Sequence, residues 1–140
     1  MKGYLTVLAG QTRVALPAAA IERVGESDAV HAAPRTHDAV WGLMRHGERL
    51  IPLLHLGAVL GLAERPRAPC ETTVIVQCGG RVMALGVEQA EEVARREPAP
   101  LPDGLDLTWA GAVVREGDRV IPIVDLEAVT ERLARVGAES

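Results

Sequence analysis

The residues that could carry chemistry in this 140-residue chain are four histidines, two cysteines and two serines. The histidines are His31, His37, His46 and His55, and all of them lie in the first half of the chain. Their spacing matches neither the i, i+4 pair of a helical metal motif nor another known ligand pattern. We therefore expect no metal site.

The nucleophilic side chains also lack the surroundings that catalysis requires. A serine or cysteine nucleophile needs an oriented base beside it, and neither Ser27 nor Ser140 lies in a nucleophile-elbow context. Cys70 and Cys78 flank a strand-like segment, a spacing that suits neither a disulfide framework nor a zinc knuckle. Asp125 stands between an apolar run and a helical pattern, where a helix cap is the expected role. We expect no catalytic residue and no cofactor.

Composition excludes further classes of function. The net charge is −4 and only three residues are aromatic, so the chain offers neither a basic footprint for phosphates nor a platform for stacked bases. No apolar stretch approaches the roughly 20 residues that cross a bilayer, and no signal peptide is evident. With 48% apolar residues the chain has ample material for a core. These features predict a cytoplasmic protein with an aliphatic core.

An internal repeat divides the chain into two halves. Residues 49–59 recur seventy positions later as residues 119–129, with six of eleven identical. A tryptophan close to a glycine precedes each copy, Trp41-Gly42 in one and Trp109-Ala110-Gly111 in the other. The segments 10–24 and 79–93 also correspond. The repeat predicts two homologous lobes, approximately residues 1–69 and 70–140.

Short apolar runs bounded by turn residues predict that each lobe is a small β-barrel. A further strand is expected over residues 21–24, whereas residues 90–95 could form a strand or a helix. A C-terminal helix starts after Asp125, where apolar residues recur at steps of three and four, and Gly137 could end it. The remaining strands are predicted at residues 4–8, 13–16, 40–45, 49–54, 73–78, 81–85, 111–115 and 119–124.

In their order and spacing these motifs resemble the CheW family, the small coupling proteins of bacterial chemosensory arrays. The resemblance implies one CheW-like domain over residues 1–140, made of two SH3-like five-stranded barrels that the duplication relates. It also implies that the protein has no catalytic site. The segments that carry the resemblance are 4–10, 21–24, 40–43, 50–56 and 117–126.

The resemblance also implies two protein partners, since family members bridge the cytoplasmic tip of a methyl-accepting chemoreceptor and the regulatory domain of a CheA-type histidine kinase. Neither nucleic acid nor membrane insertion is expected, and the protein would lie in cytoplasmic receptor arrays. The groove between the barrels would receive a receptor helix. The positions carried over for this groove are Ile21, Ala84, Ala90 and Val93. Those carried over for the kinase are Arg23, Gly42 and Gly111.

The chain departs from the family pattern at three places. The family usually has Arg-Gly before the proline-containing strand, and Gly47 stands at the arginine position, which leaves Arg45 and Arg49 as the neighbouring guanidinium groups. His55 replaces an aspartate, and Glu88 replaces the aspartate after Val87. An adaptor that binds receptors but couples poorly or not at all to the kinase is therefore an alternative. An enzyme or a small-ligand barrel would instead require a titrating histidine or cysteine in a deep pocket.

Overall fold

The computed structural model describes residues 1–27, 30–31 and 38–139, with side chains as far as residue 133. His37 and Ser140 lie outside the described residues. The first repeat contains β1 (Lys2–Ala9), β2 (Thr12–Pro17), a 3-10 turn (Ala18–Ala20), β3 (Ile21–Glu26), β4 (Val30–His31), β5 (Val40–His46), β6 (Arg49–His55) and α1 (Leu56–Val59). The second contains β7 (Thr72–Cys78), β8 (Arg81–Val87), β9 (Gln89–Arg96), β10 (Ala99–Pro100), β11 (Ala110–Glu116), β12 (Arg119–Val124) and α2 (Leu126–Glu139).

The predicted strands are confirmed to within two residues at either end, and the ambiguous segment at 90–95 is the strand β9. The strands form two sheets of six. The first sheet has the order β10-β11-β12-β2-β1-β9, and the second has the order β3-β7-β8-β6-β5-β4. Each sheet has five longer strands, as the prediction of two SH3-like lobes required, and β4 or β10 adds a two-residue sixth.

The two sheets confirm the duplication and add an exchange of hairpins. If each strand is replaced by its counterpart in the other repeat, six places away in the numbering, the strand order of the second sheet becomes that of the first. The hairpin β1–β2 nevertheless pairs with β9 and β12 of the second repeat, and β7–β8 pairs with β3 and β6 of the first. The boundary after residue 69 therefore separates the two repeats but not the two sheets.

The register of the closing hairpins corrects one part of the repeat alignment. In the β5–β6 pair the extra residue of the bulge is Trp41, and in the β11–β12 pair it is Gly111. The backbone bonds from His55 N to Ala39 O (2.8 Å) and from Asp125 N to Trp109 O (2.7 Å) also correspond. Trp41 is therefore equivalent to Gly111, and matching the two tryptophans was wrong.

Most of the hydrophobic core lies between the two sheets. Buried side chains of both sheets, among them Leu5 and Leu16 of the first and Val74 and Leu85 of the second, form one cluster. We call this cluster the shared core. Each sheet also has a small cluster of its own. Because burying a Val or Leu side chain contributes about 1.5–3 kcal/mol, the shared core holds the sheets together as one unit.

The C-terminal helix is anchored at its start. Asp125 Oδ1 accepts hydrogen bonds from the backbone N–H of Glu127 (3.0 Å) and of Ala128 (3.4 Å), which confirms the predicted cap. Leu126 and Val129 are buried in the shared core. The helix continues through Gly137 to Glu139, because a glycine near a helix end costs only about 1 kcal/mol. Neither helix, over the described residues, has the length and apolarity to span a membrane.

Candidate functional site

The edge strand β9 directs apolar side chains toward the space between the sheets. Val93 pairs with Leu5 of β1, and Ala90 pairs with Val7. Residues directly opposite each other in a ladder share a face of the sheet, and both β1 partners belong to the shared core. Ala90 and Val93 therefore lie on the core side of the first sheet, at its margin.

The edge strand β3 of the second sheet repeats this arrangement. Ile21 pairs with Val76 and Val24 pairs with Val74, and both partners on β7 belong to the shared core. Val24 is thus the structural equivalent of Val93. Sequence reasoning missed Val24, although the correspondence of segments 10–24 and 79–93 places it opposite Val93 in the repeat.

We call Ile21, Val24, Ala90 and Val93 the rim. Ile21 and Ala90 are half-buried against the shared core, whereas Val24 is 44% and Val93 57% exposed. A methyl group on Gly3 would lie 3.3 Å from Ala18 Cβ and 3.6 Å from Val93 Cγ1, so the 3-10 turn that leads into β3 lies beside Val93. The rim is an apolar margin of the shared core that is still open to a partner.

Ala84 does not belong to this surface. Its side chain is fully buried in the second sheet's own core, packed with Leu53 and Ile75. A helix lying on the protein cannot reach it, so three of the four predicted groove residues remain. The prediction for Ala84 is wrong because the sequence pattern of a strand does not show whether a small apolar residue faces a core or a groove.

The predicted kinase residues are divided between the sheets. Arg23 is exposed on β3 and Gly42 is buried on β5, whereas Gly111 is exposed in the bulge of the first sheet. A methyl group on Gly42 would clash with the backbone oxygen of His31, so glycine is required there because the paired strand β4 comes very close. Gly42 therefore allows β4 and β5 to approach each other. Of the three predicted kinase residues, Arg23 and Gly111 are exposed to a partner.

Three exposed arginines lie around one contact in the second sheet. His46 Nε2, at the tip of the β5–β6 hairpin, is 3.1 Å from Glu22 Oε2 on β3. Arg45 precedes His46, Arg49 is paired with it, and Arg23 follows Glu22. We call Arg23, Arg45 and Arg49 the basic tip. The contact brings the tip of the β5–β6 hairpin, which carries the two candidate coupling arginines, close to the part of β3 that carries the predicted kinase-side arginine.

The two residues that stand where the family pattern has aspartates, His55 and Glu88, are in contact with each other. His55 Nε2 lies 2.9 Å from Glu88 Oε2, and the Cys70 thiol donates to the same oxygen at 3.4 Å. The backbone N–H of Gly10, in the β1–β2 turn, donates to Glu88 Oε1. The four residues join α1, the connector after it, the β8–β9 junction and the β1–β2 turn. We call this group the junction cluster.

The hydrogen bonds of His55 determine which tautomer a neutral imidazole takes. Nδ1 accepts a hydrogen bond from the backbone N–H of Ala58 at 3.2 Å, so the imidazole caps α1 as Asp125 caps α2. In a neutral imidazole the other nitrogen then carries the proton, and Nε2–H donates to Glu88. Trp41 packs edge-on against the ring, with 5.4 Å between centroids, and shields it. The histidine thus caps a helix and holds Glu88 in place.

Burial and Glu88 together change the acidity of Cys70. Desolvation of the thiolate, followed by the hydrogen bond to Glu88 and the negative charge of that carboxylate, raises the pKa of the thiol from 9.0 to about 12. A raised thiol pKa keeps the proton on sulfur across neutral pH, and the thiolate forms only as the pH nears 12. Cys70 is accordingly a hydrogen-bond donor and a poor nucleophile.

We expect alkylation of Cys70 by iodoacetamide at pH 8 to be about a thousandfold slower in the folded protein than in urea, since only the thiolate reacts. Mass spectrometry on a Cys78→Ser background isolates this thiol. Glu88→Gln, which removes the negative charge beside the thiol and leaves its burial unchanged, should restore part of the rate. Equal rates in the folded and unfolded protein would contradict this assignment.

Two clefts on the protein are large enough to test the alternative of a small-ligand barrel or an enzyme. One of about 450 Å³ lies between β2, β12 and the loop after β10, and is lined largely by Pro102, Leu105, Val120 and Pro122. Another of about 400 Å³ is lined by polar groups of β1, β9 and β11. Among the described residues that line them there is neither a histidine nor a cysteine. Neither cleft therefore has the histidine or cysteine that was expected of a ligand-binding barrel.

Two SH3-like sheets with exchanged hairpins around a shared core define the class of protein, a duplicated β-lobe module with an open apolar rim. The model of the CheW-like domain family matches residues 3–134, and the chain therefore belongs to the CheW-like family. Its fold is similar to the crystal structure of the scaffolding protein TtCheW from Thermoanaerobacter tengcongensis, with a TM-score of 0.77, 18% identity and 88% of each chain covered. No curated protein matches the chain significantly.

Proposed function

We propose that this protein is a non-enzymatic adaptor that couples methyl-accepting chemoreceptors to a CheA-type histidine kinase in cytoplasmic receptor arrays. Membership of the CheW-like family supports a chemotaxis scaffold of this kind. The observation that carries the receptor side is the rim, where both edge strands leave a valine uncovered at the margin of the shared core. Val24 and Val93 continue the apolar surface of the half-buried Ile21 and Ala90, and a contiguous apolar surface that stays exposed favours a binding site.

The partner that fits the rim is an amphipathic helix of a receptor tip. Val24 and Val93 can contact apolar residues spaced three and four apart on such a helix, while Ile21 and Ala90 form the floor beneath them. The same four side chains gain burial when the helix docks, which drives association. Ala84 contributes only from below, through the packing of the second sheet.

The basic tip and Gly111 are the proposed kinase-facing positions. A guanidinium presents a planar fork of donors that suits carboxylates on a partner, and all three arginines of the basic tip are exposed. Coupling then needs no chemistry in the adaptor. If the adaptor's contacts with the kinase differ between two receptor states, the receptor's conformational equilibrium biases that of the kinase.

One observation favours the alternative of an adaptor that binds receptors and couples poorly to the kinase. Gly47, at the position of the family arginine, has φ +64°, and a methyl group added to it would meet nothing within 4 Å. The chain thus has a glycine in a tight turn where the family has an arginine. The nearest arginines, Arg45 and Arg49, lie on the two strands that the turn connects. The separation of the two functions is testable, because each involves a different surface.

Separate titrations with a receptor-tip fragment and with the kinase regulatory domain test the proposal. An adaptor that couples both partners should bind each with a Kd on the order of micromolar, as expected for interfaces of modest area. Binding to the receptor fragment alone would select the alternative. Binding to neither partner would contradict the proposed function.

A further inference from the structure

The junction cluster brings together three side chains that are able to ligate a transition metal. His55 comes from the end of β6, Cys70 from the connector before β7, and Glu88 from the junction of β8 and β9. Their ligand atoms all lie within 4.8 Å of one another. The linear spacing of the histidines could not reveal this group, because only one of the three ligands is a histidine.

We propose that His55, Cys70 and Glu88 form a Zn²⁺ site at the junction of the two sheets. Nitrogen, sulfur and oxygen donors are the ligands that zinc takes in proteins, and three protein ligands with a fourth open position are a common arrangement. A thiolate and a carboxylate together supply two negative charges, which balance the charge of the ion. Zinc is favoured over magnesium or calcium because those ions prefer oxygen ligands.

The distances need only a small adjustment to receive the ion. Zinc–ligand bonds of roughly 2.0–2.3 Å place tetrahedral ligand atoms roughly 3.3–3.8 Å apart. Cys70 Sγ and Glu88 Oε2 are already 3.4 Å apart, whereas His55 Nε2 and Glu88 Oε2, at 2.9 Å, must separate by about half an ångström. Glu88 Oε1 keeps its bond from Gly10 N–H, which orients the carboxylate.

Binding of Zn²⁺ displaces the two protons through which Cys70 and His55 donate hydrogen bonds to Glu88 in the metal-free protein. The Cys70 proton leaves to solvent, and the thiolate ligates the ion. The Nε2 proton of His55 is also displaced, and the imidazole carries its proton on Nδ1 instead, so that Nε2 can ligate. Nδ1 can then no longer accept from Ala58 N–H, and the cap of α1 is lost. One proton is released overall, and metal binding is coupled to the start of α1.

The cluster is accessible to an ion from solution. The side chain of Glu88 is 26% exposed and Cys70 is half-buried, while His55 is covered by Trp41 and only 2% exposed. The ion therefore has protein on the imidazole side and water at the open position. A bound ion would tie the first-repeat elements α1 and the connector to the β8–β9 junction, and so would strengthen the contact between the two repeats.

Titration of the reduced protein with Co²⁺ tests the proposal, because cobalt reports its ligands in its absorption spectrum. We expect one equivalent to give tetrahedral d–d bands and a thiolate-to-cobalt charge-transfer band, both removed by competing Zn²⁺. Cys78→Ser is the matched control and should leave both bands unchanged. Cys70→Ser should abolish the charge-transfer band and weaken binding at least tenfold. Absence of the band in the wild type, or its survival in Cys70→Ser, would overturn the proposal.

A second variant covers the outcome in which loss of Cys70 disturbs the fold. His55→Asn keeps a side-chain oxygen for the cap of α1 but removes the imidazole ligand, and should weaken Co²⁺ binding at least tenfold with an unchanged circular dichroism spectrum. In the wild type, Zn²⁺ should shift the ¹⁵N resonance of His55 Nε2 and speed hydrogen exchange of the Ala58 amide. Unchanged metal affinity in folded His55→Asn would also overturn the proposal.

Discussion

Gly57→Ala should lower the melting temperature of the protein by about 10 °C, because it forces two backbone segments apart. A methyl group on Gly57 would lie 2.7 Å from Gly10 N and 3.0 Å from Gly10 Cα. These are backbone atoms, so they cannot move away from the methyl group by a side-chain rotation. Overpacking of this kind costs about 2–3 kcal/mol, and the displaced Gly10 would also lose its bond to Glu88. Thermal unfolding followed by circular dichroism measures the change.

Gly111→Ala is the matched control for this substitution. A methyl group on Gly111 meets nothing within 4 Å, and the residue has ordinary backbone torsions. We expect its melting temperature to stay within a few degrees of the wild type, since replacing glycine at a compatible site is neutral or slightly stabilising. Equal stability of both variants would mean that α1 does not pack against the β1–β2 turn as described.

Val93→Glu should reduce affinity for the receptor-tip fragment at least tenfold while leaving the protein folded. The valine is 57% exposed, so the glutamate can remain in water in the free protein. In the complex the carboxylate would be buried against an apolar helix face, and an unpaired buried charge is costly. Calorimetric titration gives the affinity, and thermal unfolding of the same sample establishes that the fold is intact.

Val120→Glu is the control for Val93→Glu. Val120 is 42% exposed on β12, and two strands separate it from β9 in the sheet. The variant should therefore bind the receptor fragment like the wild type. Unfolding of Val93→Glu would place Val93 in the core, and a folded Val93→Glu with wild-type affinity would remove the rim from the receptor interface.

The hairpins and the duplication could be predicted from the sequence because both depend on local information. Glycines in turns between apolar runs indicate a hairpin, whichever other strands the hairpin pairs with. The Arg-x-Ile-Pro segment that starts at residue 49 and again at residue 119 indicates the repeat. The exchange of β1–β2 and β7–β8 could not be predicted, because strands of either repeat satisfy the same alternation of apolar side chains. The choice of partner depends on packing in the shared core.

The candidate site was predicted only in part for a related reason. Val93 and Ala84 are both apolar strand residues, yet one is 57% exposed and the other fully buried, and only the three-dimensional neighbours decide this. His55 and Glu88 read as two independent departures from the family pattern. Their contact depends on the parallel pairing of β6 with β8, which places His55 opposite Gly86, and no local spacing indicates this pairing. The histidine caps α1 as Asp125, its equivalent in the second repeat, caps α2.

The proposed coupling role is compatible with the fold because the two proposed surfaces share the strand β3. The rim lies at the margin of the shared core, and the basic tip is tied to β3, one of the two rim strands, through Glu22 and His46. A receptor helix on the rim and a kinase at the basic tip would therefore be held at a fixed separation. A shift in the receptor could then alter the kinase through contacts alone.

Autophosphorylation of a CheA-type kinase, reconstituted with receptor in membranes and with or without this protein, tests the coupling claim most directly. We expect kinase activity to depend on receptor ligand only when the protein is present, and we expect Val93→Glu to abolish this dependence while Val120→Glu retains it. Ligand-dependent activity without the protein, or none with it under conditions where both partners are bound, would contradict the account.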